Sequence, residues 1–308
     1  MHTQQKPAWL TIRPQSTPDF SKIRHALRSR GLVTVCEEAH CPNMAECWAH
    51  EGTATFMVMG DTCTRGCKFC AISTAMKGQP LDQDEPDKIA EAVAEIGLDY
   101  VVLTSVDRDD LADGGAAHFA ACIDAILTKH PKTHIEVLIP DFQGEVGPLK
   151  RIVEACPDVI GHNIETVRSL QHEVRDPRAG YEQSLKVLAD VKTLDHTIYT
   201  KSSIMLGLGE TEAEVIKAMH DLREVDVDIL TLGQYLKPSN KVLPVKAFIS
   251  PDAFSSFRAK AEAMGFLYVA SGPFVRSSYR AGEFFMRGVL SRRRIHQSPS
   301  EVGLSQEQ

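Results

Sequence analysis

An α/β fold built on parallel strands is what this sequence predicts, and three observations carry the prediction. Short apolar runs alternate with amphipathic ones from about Thr53 onward. The amphipathic runs place apolar residues at helical spacing, so strands alternate with helices and crossovers join parallel neighbours. Polar residues gather just after the apolar runs, where a parallel sheet presents its strand ends. Six strands are too few for an eight-stranded barrel. They suit either a partial barrel or an open doubly wound sheet.

In chain order the strands are "TATFMVM", "YVVLTSV" (Tyr100 to Val106), "HIEVLI" (His134 to Ile139), "DVIGHNIE" (Asp158 to Glu165), "HTIYTKSSIML" (His196 to Leu206) and "VDILTLGQYL" (Val227 to Leu236). Between them lie helical stripes: Ile89, Val93 and Ile96; Phe119, Ile123 and Ile126; Leu149, Ile152 and Val153; Leu185 and Leu188; Val215, Met219 and Leu222. Asp107 to Asp110 follow the second strand, Asn163 and Glu165 end the fourth, and Gly207 to Glu210 follow the fifth. Thr211 caps the next helix, with Glu214 completing a capping box.

The chain divides at 1–52, 53–250, 251–290 and 291–308. Residues 1–52, with Pro7, Pro14, Pro18 and a helix around Ser21 to Ser29, read as an extension wrapping the core. From Pro251 come a helix, the strand-like "FLYVA", the loop "SGPFVRSSY" and a closing helix. The basic end "SRRRIHQ" (Arg292 to Arg294) and "SPSEVGLSQEQ" read as a solvated, disordered tail.

A net charge of −7 over 308 residues argues against a dedicated nucleic-acid binder. No apolar run approaches the roughly 20 residues of a membrane span. The N-terminus shows neither a secretory apolar region nor an organelle presequence, so the expectation is a cytoplasmic protein. Its eight cysteines then belong to metal or redox chemistry rather than disulfides.

Six of those cysteines form two triplets. Cys36, Cys41 and Cys47 are spaced C-x4-C-x5-C; Cys63, Cys67 and Cys70, spaced C-x3-C-x2-C, sit in the loop after the first strand. Iron–sulfur clusters take thiolates, and a [4Fe–4S] cluster normally takes four. Three leave one iron open, as a catalytic rather than a structural site does. Half of a structural zinc site is the competing reading, but zinc signatures pair C-x2-C units and only Cys67 with Cys70 fits. Cys122 and Cys156 continue helical apolar stripes and are expected in the core. His162 and the other histidines lack ligand spacing.

The C-x3-C-x2-C loop after the first strand of a βα repeat resembles the radical S-adenosylmethionine superfamily. The preceding C-x4-C-x5-C, together with "RSSYRA" (Arg276 to Ala281), resembles the lipoyl synthase family, and the match runs from about Ala8 to Leu290. "HNIETV", "VRDPRAGYEQSL", "TKSSIMLGLGE" and "LTLGQYL" are similar to that family's stretches too. The resemblance implies a partial (β/α)6 TIM-like barrel with cluster-binding extensions at both ends. It implies a sulfurtransferase that inserts two sulfurs, at C6 and C8 of an octanoyl-lysine chain on a lipoyl-domain or carrier protein. Two [4Fe–4S] clusters are implied. One sits on Cys63, Cys67 and Cys70 with S-adenosylmethionine at the open iron. The other, auxiliary and sacrificial, sits on Cys36, Cys41, Cys47 and Ser278. Glu165 is placed for the ribose, with Asn163 a further cofactor-binding residue, Arg178 and Lys201 for the methionine carboxylate or its surroundings, and Gly207 and Gly209 for the adenine. Arg276 and Tyr279 would position the Ser278 loop. Thr104, Ser105 and Asp107 line the same rim. A reduced donor such as ferredoxin or flavodoxin is expected as partner, with no nucleic acid, no membrane and a monomeric chain. A methylthio- or biotin-type sulfur transferase is the nearest rival, and RSSYRA argues against it. A non-catalytic zinc or iron–sulfur protein is the rival from another class.

Overall fold

The structure is a computed structural model describing residues 6–11, 18–38, 41, 43–44 and 55–278. Cys47, Tyr279 and Arg292 to Arg294 lie outside the described residues, as do the expected closing helix and tail.

One sheet organises the described chain. It holds β1 (Val33–Thr34), β2 (Thr55–Val58), β5 (Tyr100–Ser105), β6 (His134–Leu138), β7 (Val159–Gly161), β8 (Tyr199–Leu206), β9 (Ile229–Gln234) and β10 (Tyr268–Gly272), in that spatial order. The short β3 (Thr62–Cys63) and β4 (Ser73–Thr74) pair with each other within the first cysteine-bearing loop. The spatial order never reverses, so there is no switch point of a doubly wound sheet. Strands added one after another, each parallel to the last, build a partial barrel. β1 alone runs antiparallel, matching Val33 to Met57. Thr55 pairs with Val102, Tyr100 with His134, Glu136 with Val159, Val159 with Tyr199 and Lys201 with Ile229, all parallel. "FLYVA" adds a further parallel strand, with Tyr268 opposite Ile229, so the array runs past residue 250.

Helices α3 (Glu85–Ile96), α4 (Ala116–Lys129), α5 (Val146–Glu154), α7 (Tyr181–Leu194), α8 (Glu212–Glu224) and α9 (Pro251–Ala263) cover the outer face; α1 (Pro18–Arg28) and α2 (Val35–Glu38) precede β2, and α6 (Gln171–Val174) is one turn. The capping box on α8 forms as its sequence dictates, with Thr211 accepting from Glu214 N. Among the described residues no helix is long and apolar enough to cross a membrane.

Strand alternation sorts the core into two sides. Val101 and Leu103 face outward onto Phe119, Ile123 and Ile126; Leu206, Leu230 and Leu232 face Met219, Leu222 and Phe254. Inward-facing residues form layers down the barrel axis. Tyr100, Val102, Val159 and Ile229 fill the bottom. Further along the strands, Thr104 (two residues on from Val102), Gly233 (four on from Ile229), Leu138 and Ser203 line a cavity at the C-terminal ends. Residue period therefore places the site: an even number of residues along each strand leads from floor to chamber on the same face.

Candidate active site

The cavity measures about 600 Å³ and contains Cys63, Cys67 and Cys70 in its wall. The loop bearing them is fastened at several points. Thr64 N and Oγ1 both donate to Asp107 O at 2.9 Å. Gly66 N donates to Asp176 Oδ2 at 2.7 Å, and Lys68 N to Val174 O at 2.9 Å. Arg65, buried, forms a two-pronged pair with Asp109 (both 2.8 Å) and another with Asp141 (2.8 and 2.7 Å), and lies 3.4 Å from Asp107. A planar guanidinium gripping two carboxylates fixes orientation as well as position. These anchors tie the loop after β2 to the loops after β5, β6 and β7.

Backbone N–H groups aim at the sulfurs. Arg65 N is 3.4 Å from Cys63 Sγ, Asp176 N is 3.3 Å from Cys67 Sγ, and the amides of Ala71 and Ile72 donate to Cys70. Burial pushes the Cys63 thiol up to about 11, Cys67 up to about 12 and Cys70 upward. A bare thiolate is thus disfavoured there, and a bound polycationic cluster reverses that balance. Amides directed at sulfur are what such clusters require of their surroundings. The donor set fits a [4Fe–4S] cluster.

Asn163 and Glu165 face the same cavity, with Asn163 Nδ2 donating to Glu165 Oε1 at 3.0 Å. β7 stops at Gly161; Glu165 then turns at φ +65° and bridges to Ile204, its N–H bonded to Ser203 O at 3.1 Å. Burial raises its carboxyl, while Arg175 and Asn163 pull it down. Asp107 is driven up to about 6 by burial, against the pull of Arg65. Thr104, Ser105 and Asp107 line the chamber, as does His162. The His162 ring is held between Ile139 O and Ser184 Oγ, both at 2.9 Å.

Four expected cofactor contacts lie elsewhere. Arg178 is half-exposed and spends its guanidinium on Asp176 (2.8 Å), Thr64 O (2.7 Å) and Asp109 (3.2 Å), clamping the cysteine loop from outside. Lys201 lies one layer beneath the chamber, its Nζ 2.7 and 2.9 Å from the carboxylate of Glu136, which also accepts from Tyr100 Oη at 2.6 Å. Gly207 and Gly209 have φ of +101° and +115° but do not line the cavity. Gly207 instead lets Gln234 and Ala247 O approach, and its carbonyl accepts from Lys246 and Ala247 N–H. Arg175 is a cationic wall residue whose charge acts on Glu165, and sequence reasoning passed it over together with Arg65, Asp141 and Asp176. Cys122 is in the core as expected, but Cys156 is exposed, because α5 ends at Glu154 and Cys156 turns away at φ +56°.

The N-terminal extension and the segment after β10 reach the same chamber. Cys36, Cys41, Arg276 and Ser278 line it. Asn43 Nδ2 donates to Phe274 O at 2.5 Å across 231 residues of sequence. The segment carrying Ser278 crosses β9 at Gly233, where a side chain would strike Val275 O. A glycine inside "LTLGQYL" was the available signal, since glycine in a strand marks close approach of another backbone. Burial raises the Cys41 thiol; the Asn43 amide and the charge of Arg276 oppose it.

Comparison with known proteins gives this geometry a lineage. Residues 57–222 match the Radical SAM superfamily. The chain is 57% identical over 294 residues to the lipoyl synthase of Halobacterium salinarum, covering 94% of each. It is 54% identical to that of Anaeromyxobacter dehalogenans, covering 94% of this chain and 98% of the relative. With the mitochondrial lipoyl synthase of Phytophthora infestans it shares 51% identity, over 95% of this chain and 77% of the relative. Among solved structures, methylornithine synthase superposes with a TM-score of 0.52 at 12% identity, covering 93% and 91% of the two chains. The FeFe-hydrogenase maturase HydG from Carboxydothermus hydrogenoformans gives 0.55 at 13%, covering 91% and 72%. At that identity the structures speak for the barrel alone. The sequence relatives go further, each matching nearly the whole of this chain, and on them the chain belongs to the lipoyl synthase family of the radical S-adenosylmethionine superfamily.

Proposed function

We propose that this chain inserts two sulfur atoms, at C6 and C8, into an octanoyl chain carried on a lysine of a lipoyl-domain or carrier protein. The observation that carries the reading is the single cavity shared by Cys63, Cys67 and Cys70 with Cys36, Cys41 and Ser278. Superfamily membership implies one [4Fe–4S] cluster and S-adenosylmethionine; the auxiliary cluster is our inference from the second cysteine set. When bound, the first cluster with S-adenosylmethionine supplies a 5′-deoxyadenosyl radical, and the second supplies the sulfur.

The chain's own residues do the rest. Cys63, Cys67 and Cys70 would hold the first cluster, three thiolates leaving room for S-adenosylmethionine beside it. Glu165, steadied by Asn163, accepts from the ribose hydroxyls, and Arg175 faces the carboxylate in place of Arg178 or Lys201. Cys36, Cys41, Cys47 and Ser278 hold the second cluster. The Ser278 oxygen would be a harder ligand than the three thiolates, setting its position in that site apart from theirs. Met57, Phe69, Ile72, Leu138, Ile139 and Met205 give the chamber an apolar lining that accepts eight carbons and keeps water out. The octanoyl chain has no polar handle, so the docked carrier supplies the binding energy that positions it. A reduced ferredoxin- or flavodoxin-type donor and a cytoplasmic, monomeric enzyme complete the reading.

The test is anaerobic reconstitution, then mass spectrometry of an octanoyl-lysine peptide incubated with S-adenosylmethionine and reductant. Dithiolated peptide from a chain holding about eight irons is expected. One or two zincs, or turnover of free octanoate equal to that of the peptide, would sink the reading.

A further inference from the structure

Asn43 is 1% exposed and stands where the N-terminal extension meets the segment after β10. Its backbone N–H donates to the Cys41 thiol, while its side-chain Nδ2 donates to Phe274 O. One residue thereby touches the cysteine stretch through its main chain and the serine-bearing segment through its side chain. The partner being a carbonyl settles which end of the amide faces it, since only the nitrogen can donate. An ordinary turn asparagine bonds back to its own neighbourhood. This one reaches residue 274 instead.

The segment it grips is held from the other side as well. Val275 N donates to Gly272 O at 3.1 Å, and Val275 O lies against Gly233 of β9. Phe274 and Val275 are thus pinned between the N-terminal extension and the sheet, and the next three residues lead to Ser278 in the cavity wall. Remove the Asn43 bond and the sheet still holds Val275. What disappears, among the described residues, is the hydrogen bond between the Cys41 stretch and the serine segment.

We infer that Asn43 is a positioning residue: it sets where Ser278 stands relative to Cys36 and Cys41, and so decides whether the second cluster acquires its oxygen ligand. This rests on the reading that Ser278 ligates that cluster. Asn43 borders the chamber, and it acts on Ser278 through the Phe274 carbonyl.

The experiment uses Asn43→Asp, which keeps shape but presents oxygens to the Phe274 carbonyl, and Asn43→Ala, which removes the contact. Two readouts are taken. One is 57Fe Mössbauer spectroscopy of the second cluster, in chains carrying Cys63→Ala, Cys67→Ala and Cys70→Ala. The other is the ratio of lipoyl product to 5′-deoxyadenosine, in chains with all cysteines present. Both variants should move the spectrum to that of Ser278→Ala and lower product at least about tenfold, with 5′-deoxyadenosine within about twofold of the parent. A native spectrum and ratio in either variant overturns the inference. So does a parallel loss of product and 5′-deoxyadenosine, which would make Asn43 a general structural residue. If Ser278→Ala itself keeps the native spectrum while Cys41→Ala loses the cluster, the serine-ligand reading has failed and Asn43 has nothing to position.

Discussion

Gly233→Ala isolates the crossing of the C-terminal segment over the sheet. Gly233 sits in β9 between Met205 and Gly272, in regular strand register, so alanine asks nothing unusual of the backbone there. Space is the whole difficulty. A methyl group added at Gly233 would stand 2.1 Å from Val275 O and 3.0 Å from its carbonyl carbon, where ordinary contact begins at 3.4 Å. Main-chain atoms cannot swing aside as a side-chain tip does, so residues 274–276 must retreat by roughly 1 Å. Overpacking of this kind costs about 1–3 kcal/mol, which a folded chain survives. The displacement matters more, because Ser278 lies three residues on, and misplacement on the order of 1 Å at a reacting centre costs about 100-fold. The Cys63–Cys70 loop has separate anchors on Asp107, Asp141, Asp176 and Val174. Lipoyl product should therefore fall by one to two orders of magnitude, roughly, while 5′-deoxyadenosine continues to form. Product and 5′-deoxyadenosine are quantified together by mass spectrometry, with iron counted on the same sample. Product within about twofold of the parent would refute the reasoning, as would equal loss of both.

Three further outcomes follow from the same geometry. Cys67→Ala should abolish reductive cleavage of S-adenosylmethionine, whereas Cys41→Ala should still release 5′-deoxyadenosine and insert no sulfur; the opposite pattern would exchange the two cysteine sets. Lys201→Met leaves the buried Glu136 without its cation and should cost about 3–5 kcal/mol, read as a lowered denaturation midpoint, while the KM for S-adenosylmethionine stays near the parent's. A raised KM with unchanged stability would return Lys201 to the cofactor. His162 is buried neutral, its pKa held down to about 4 from 6.5 by burial first and then by Arg175. The unfolded chain takes up that proton first as pH falls. Its stabilisation of the cluster-free chain is therefore complete above about pH 6.5, is lost as the pH drops through about 4, and amounts to at most about 3 kcal/mol. Urea midpoints at pH 7 and pH 4.5 should converge in His162→Gln, and an undiminished gap would count against the assignment.

What could be read beforehand was whatever a short window contains. Strands β5 to β9 and the helices between them follow from alternation and helical spacing. The cysteine sets follow from their intervals, and Asn163 with Glu165 from their place just beyond a strand. What escaped depends on partners far along the chain. Arg65 looks like any loop arginine until Asp109 and Asp141 close on it from the next two strand ends. Asn43 is unreadable without Phe274. Lys201 was misplaced for a subtler reason. A polar residue on the inward face of a strand can lie at the floor or in the chamber, and only the register, with Lys201 opposite Ile229, puts it at the floor. Arg178 and Arg175 are three residues apart, and the backbone between them decides which points inward.

The bond between Asn43 and Phe274 also imposes an order in time. A ribosome adds roughly 5–20 residues per second, so the 231 residues separating these partners take on the order of ten seconds or more to emerge. The Cys63–Cys70 loop needs nothing beyond Leu243 for the backbone contacts that fasten it. Its half of the chamber is complete while the far end of the chain is still being made. The half at Cys36 and Cys41 stays open until Phe274 has emerged. Iron and sulfide reaching this protein would therefore meet one chamber whose two sides differ in age, the side at Cys36 and Cys41 closing only once Phe274 has been made.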